Sequence, residues 1–192
     1  MSYCVNASKR WVRRSAALAT GIGICVIAVI APASTASASY DAQSAIGGVR
    51  VNAAEARMFR LVNASRHHAG LAPLRLAPGY TDVARRWSRA MAVRHTLVHN
   101  PRLVANVTTS GGATWRAIGE NVAYGYRPDV VYGMYMNSPP HRANILGPGY
   151  RYIGVGWVQT AAGPGYTTLV FSSSYSSSYG PTRVPPGPCT VH

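Results

Sequence analysis

The stretch that decides the fold is 151–173, "RYIGVGWVQTAAGPGYTTLVFSS". It holds two runs rich in β-branched and aromatic residues, 151–159 and 166–173, which suit a pleated, half-buried surface. Between them "AAGPG" (161–165) supplies turn residues, so the pair reads as a β-hairpin. What precedes it has a different period. From 50 to 69, Val51, Ala54, Met58, Leu61 and Val62 form a helical stripe with arginines on the other face, and Gly70 ends it. A second helix is expected over about 80–96, with Val83, Trp87, Ala90 and Met91 on one face and Arg85, Arg86 and Arg89 towards solvent. Residues 100–117 read as irregular. Pro128 opens a third helix over 128–136, and "SPPHRANIL" (138–146) a short fourth, with Ser138 as its N-cap and Gly147 closing it. Helices first and antiparallel strands last predict an α+β layered domain.

The flanks have other compositions. Residues 9–14, "KRWVRR", precede an apolar run at 16–33 and the small-residue site Ala36-Ser37-Ala38. That order predicts a cleaved secretory signal over 1–38, leaving no membrane span and a secreted chain. Residues 39–49 read as a linker, 50–172 as the domain, and 173–192 as a disordered Ser/Tyr/Pro-rich tail. Past residue 38 the chain keeps 15 arginines against five acids, a formal charge of +10, and one cysteine, Cys189. No disulfide can form within such a chain, so its stability must come from a hydrophobic core. The charge favours anionic neighbours such as wall polymers and acidic lipids. No nucleic-acid-binding signature accompanies it, so no specific nucleic acid is expected.

Few residues remain for chemistry. Glu55 lies among arginines and reads as a surface ion pair; Asp129 suits the first turn of a helix. Glu120, in "AIGENVAYG", has no arginine within three positions, so it is either buried and paired or lines a cavity. Asn121 beside it is placed to bond backbone in a turn. His95 and His99 are spaced i, i+4, but Thr96 stands where a zinc protease needs glutamate, and Asn100-Pro101 argues that the helix stops before His99. No nucleophile elbow, phosphate loop or dinucleotide fingerprint occurs. His99, Glu120 and His141 are left as a set that could hold a divalent ion such as zinc or act as acid and base.

Taken together, "LVHNPRL" (97–103), "IGENVAYG" (118–125), "YMNSPPHRANIL" (135–146), "YIGVGWV" (152–158) and "YTTLVF" (166–171) resemble the CAP superfamily in order and spacing. This is the SCP domain of cysteine-rich secretory, antigen 5 and pathogenesis-related proteins, and the likeness is to its bacterial secreted branch. The opening helix and "GLAPL" turn (56–74) match too, so the resemblance covers residues 52–172. It implies an α-β-α sandwich, a small antiparallel sheet covered by helices on both faces. It also implies a cavity lined by two histidines and two glutamates that sometimes binds a divalent metal. His99 matches the first cavity histidine and Glu120 the first glutamate. The second glutamate's place falls near Ser138, and the second histidine's place is Gly165. His141, from the bacterial "SPxHR" variant, is the candidate to fill the vacancy, with Arg142 and Asn144 as packing and loop-tying groups. The implied function is non-enzymatic binding of a lipid-like, wall-polymer or protein ligand at the cell envelope. The alternatives are a metal-assisted hydrolase using Glu120, His99 and His141, and a purely structural Glu120–His99 pair.

Overall fold

The computed structural model describes residues 43–176. The expected signal at 1–38 and residues 177–192 of the expected tail lie outside the described residues. Residues 173–176, also assigned to that tail, pack on the domain through Tyr175 and bonds to Ala117 and Gly111. The chain runs β1 (Gln43–Ile46), β2 (Val49–Asn52), α1 (Ala53–His68), β3 (Arg75–Leu76), α2 (Pro78–Arg94) and α3 (Leu103–Gly111). It continues through β4 (Ile118–Gly125), α4 (Pro128–Asn137), α5 (Pro139–Ile145), β5 (Tyr152–Gln159) and β6 (Gly165–Ser172).

The central sheet has the order β3-β5-β6-β4. β5 and β6 pair antiparallel across the expected hairpin, and β4 pairs antiparallel with β6 at the far edge. The short β3 pairs parallel with β5, so the sheet is mixed at one edge rather than wholly antiparallel.

Alternation along the strands sends side chains to two layers. Ile153, Val155, Trp157, Leu169 and Phe171 face α1, α4 and α5, meeting Met58, Val62, Tyr135 and Ile145. On the other face Val170 packs against Tyr80, Val83 and Ala84 of α2 and Val107 of α3, while Val122 and Tyr166 meet Met91 and Ala92. Each fully buried large side chain contributes about 1.5–3 kcal/mol, so these clusters hold both helical layers to the sheet. The architecture is the α-β-α sandwich.

The two layers touch the sheet differently. β5 presents Gly154 and Gly156 to α2, and a Cβ at Gly154 would lie 2.1 Å from the backbone of Tyr80. One at Gly156 would lie 2.4 Å from the backbone of Ala84. There α2 rests on bare backbone.

Four expectations change. Part of the 39–49 linker is ordered: β1 and β2 form a hairpin whose Val49 and Val51 are buried against Ala56. The supposedly irregular 100–117 contains α3, whose β-branched "LVANVTTSG" hides its period. Residues 118–125 form a strand and not a turn, so Asn121 acts from β4. Glu55 is fully buried, not on the surface. It closes a capping box with Asn52, with both bonds at 2.9 Å, and takes the Arg85 guanidinium and the Trp157 N–H. One carboxylate thereby joins α1, α2 and β5.

Candidate functional site

Glu120 and Asn121 are successive residues of β4, opposite Val170 and Leu169 of β6, and therefore point to opposite faces of the sheet. Glu120 turns towards the α2–α3 connection. Helix α2 stops at His95, a left-handed residue (φ 49°), four positions before His99. His95 and His99 therefore do not share a helix face, and their i, i+4 spacing makes no metal pair. Trp87 Nε1 donates to the Val98 carbonyl at 2.9 Å, holding the connection against α2. His99 is thereby brought to the carboxylate, with His99 Nδ1 lying 2.8 Å from Glu120 Oε1. The same oxygen accepts the Asn100 N–H at 2.9 Å. Because a carboxylate only accepts, Nδ1 carries a proton, and Nε2 is the ring nitrogen left outside this contact.

The burial of this dyad is one-sided. The Glu120 side chain is 3% exposed and the His99 side chain 64%. Leu97 and Val98 beside it are 44% and 45% exposed, so an apolar lip adjoins the imidazole. Beneath it, Glu120 Oε2 and Asn100 Nδ2 are buried without a hydrogen-bond partner. Asn100 was not among the residues singled out from sequence. Its Oδ1 accepts the Arg102 N–H at 3.0 Å, the local signature of an Asx-type turn, and "HNP" is the signal that could have found it.

Asn121 serves the opposite face. Its Nδ2 donates to the His141 carbonyl at 2.9 Å, and its Oδ1 accepts from Asn144 Nδ2 at 2.8 Å. Asn144 Nδ2 also reaches the Glu120 carbonyl at 3.2 Å. These amides fasten α5 to β4, the loop-tying role expected of Asn144.

His141 does not join Glu120 by a hydrogen bond. Its Nδ1 lies 2.8 Å from Ser138 Oγ, and its ring sits 5.2 Å from that of Tyr135. Ser138 occupies the N-cap position of α5, but its hydroxyl orients His141 instead of capping the backbone. Burial, and secondarily the charge of His99, hold the His141 imidazole below its ordinary pKa. Burial pushes the Tyr135 phenol well up, aided by the negative charge of Glu120. His141 thus senses His99 and Tyr135 senses Glu120, while of the two histidines only His99 bonds to Glu120.

Arg142 is exposed and ties no loop. That work belongs to Arg66, a fully buried residue of α1 not foreseen from sequence. Its guanidinium donates to the carbonyls of Ala72, Ile145 and Gly147, each at 2.9 Å, and so caps the C-terminal end of α5.

A metal fits this arrangement poorly. Among the described residues no group of three His, Cys, Asp or Glu is placed to hold an ion. Glu120 Oε1 already accepts two N–H groups and His141 Nδ1 is engaged by Ser138, so the trio His99, Glu120 and His141 does not converge as a ligand set. What the site offers is a mostly exposed imidazole with one nitrogen held by a buried carboxylate.

The profile of the cysteine-rich secretory protein family, CAP, matches residues 59–172. The chain belongs to this family. An uncharacterized Bacillus subtilis protein, YkwD, is 34% identical over 116 residues, a match covering 58% of this chain and 45% of that relative. The chain therefore spans less than half of that longer protein. An outer surface protein of Borrelia burgdorferi shares the fold with a TM-score of 0.59 at 14% identity, covering 70% of this chain and 98% of that one. An extracellular Bacillus anthracis protein containing an SCP domain aligns with a TM-score of 0.51 at 26% identity, over 62% of this chain and 40% of that one. Among the described residues of this CAP domain, no helix is long and apolar enough to cross a membrane.

Proposed function

We propose that the chain is a secreted CAP domain that binds a ligand at the cell envelope through the His99 site. The observation that carries this reading is the dyad's asymmetry. Glu120 is buried and spends one oxygen on two donors, whereas the His99 ring is mostly exposed beside Leu97 and Val98. A polar group on an otherwise apolar, lipid-like ligand would bond to Nε2 while its body lay on the lip. Secretion is supported by the sequence of 1–38 and by the extracellular and outer-surface descriptions of structural neighbours.

The hydrolase reading has one observation in its favour, the unpaired Glu120 Oε2, which a general base would need. That oxygen is buried, and among the described residues no trio of His, Cys, Asp or Glu is placed to hold an ion. Binding accounts for more of the geometry.

The test is organic extraction and mass spectrometry of wild-type and His99→Ala protein purified from the producing culture. A ligand carried by the wild type and lost from His99→Ala supports the reading. An identical load in both, or none in either, overturns it.

A further inference from the structure

The α1–α4 layer covers the face of the sheet opposite to α2 and α3, whose connection carries His99. Tyr126 is exposed just before α4 begins, and Val130 and Met134, four positions apart, share the exposed side of that helix. They are 70%, 55% and 53% exposed, among the largest exposed apolar groups described. Gly133 lies within this stripe, and nothing within 4 Å would meet a Cβ there, so the surface is open above it. Interior positions on the same helix, Val131 and Tyr135, are buried, so the exposed stripe is a second apolar face and not a misplaced core.

The charges around it are mostly positive. Arg127 is exposed between Tyr126 and Pro128, and Arg60 is exposed on the neighbouring α1. The acid on this face, Asp129, is held by Arg57 at 2.5 Å, and the Arg57 guanidinium keeps its carboxyl below the ordinary range. The described residues carry 14 arginines against four acids, so the whole domain reinforces the local field.

We infer that this face docks on an anionic lipid bilayer, with Tyr126, Val130 and Met134 entering the headgroup region and Arg127 and Arg60 meeting lipid phosphates. The choice of occupant follows from the two properties together. A hydrophilic anionic polymer would satisfy the arginines and leave the apolar stripe in water. A second copy would cover the stripe but set two strongly positive domains against each other. An acidic bilayer receives both: tyrosine suits the interface, and arginine near an anionic surface adds attraction within a Debye length. The inference rests on the chain being exported, but not on the His99 site.

The protein is taken as processed by the producing cell, because the apolar run at 16–33 would itself enter bilayers. It is sedimented with vesicles of phosphatidylcholine alone and of phosphatidylcholine with phosphatidylglycerol. Binding is expected only to the second, released by salt, and weakened about five-fold by Arg127→Ser, as for one arginine near such a surface. Val130→Ser combined with Met134→Ser should weaken it further at unchanged melting temperature, since both residues are exposed. Glu120→Gln should bind vesicles like the wild type, which separates a failure here from a failure of the ligand reading. No binding to anionic vesicles, equal binding to both, or indifference to the serine substitutions would overturn the inference. So would a wild-type dimer in sedimentation velocity that the same substitutions dissociate.

Discussion

Glu120 and Asn121 stand side by side on β4 and bind opposite halves of the molecule. Glu120 holds the α2–α3 connection through His99 and Asn100, and Asn121 holds α5 through His141 and Asn144. One dipeptide at the sheet edge therefore fixes both segments that carry the histidines.

The first prediction separates the two partners of the dyad. Glu120→Ala strips the buried Asn100 N–H of its acceptor and should cost about 1–3 kcal/mol of unfolding free energy. His99→Ala removes a mostly exposed ring and should cost well under half of that. Urea denaturation of both variants decides it, and equal losses would contradict the one-sided burial.

His141 sets a pH dependence. Its folded pKa lies below the ordinary value of 6.5, because burial and the His99 charge disfavour the imidazolium. A base whose folded pKa is depressed stabilises the fold while neutral, so its contribution is intact above 6.5 and is lost as pH falls from there through the lower folded value. Melting temperature should decline through that window on acidification, and His141→Gln should flatten the decline. The Asp129 carboxyl, also depressed, is lost only in a more acidic window, so the two are separable.

Arg66→Met should be among the most damaging substitutions in the chain. It leaves the carbonyls of Ile145 and Gly147 without their shared donor, a loss of about 2–6 kcal/mol at 1–3 kcal/mol for each group. Arg66→Lys should recover only part of it, because one ammonium cannot span acceptors set out for a planar fork. Thermal melts of the three proteins test this order, and full rescue by lysine would refute it.

Gly156→Ala adds one methyl group against the backbone of α2 at Ala84. Backbone cannot rotate aside as a side chain can, so the helix must shift, with a loss of about 1–3 kcal/mol or more. Gly133→Ala, where a Cβ meets nothing, should be neutral or slightly stabilising because alanine favours helix. Calorimetry of the pair checks the contrast.

The hairpin, α1, α2, α4 and α5 were legible because their signals are local: period, Pro128 at a first turn, Gly163-Pro164-Gly165 at a hairpin. β4 was not, since "IGENVAYG" places a buried carboxylate and two glycines where a strand is usually apolar. Glu55 illustrates the same limit. Asn52 and Glu55 have capping-box spacing, but nothing local announces that Arg85 and Trp157 converge on the carboxylate from 30 and 102 residues away. Within the site, His99 and Glu120 were found by eliminating the other ionisable groups, and the family motifs made the same assignment. The seat of the His141 ring against Tyr135 depends on how α5 meets α4, and no pattern in the sequence encodes that angle.

The bare backbone of β5 beneath α2 also bears on redesign. At Gly154 and Gly156 the sheet offers an engineer nothing to trim, and the smallest enlargement collides with main chain. The opposite side is built from Trp157, Phe171 and Leu169, which can be cut down one at a time. Any attempt to carve a larger chamber in this scaffold, or to graft a new guest into it, has to start from the side of α1 and α4.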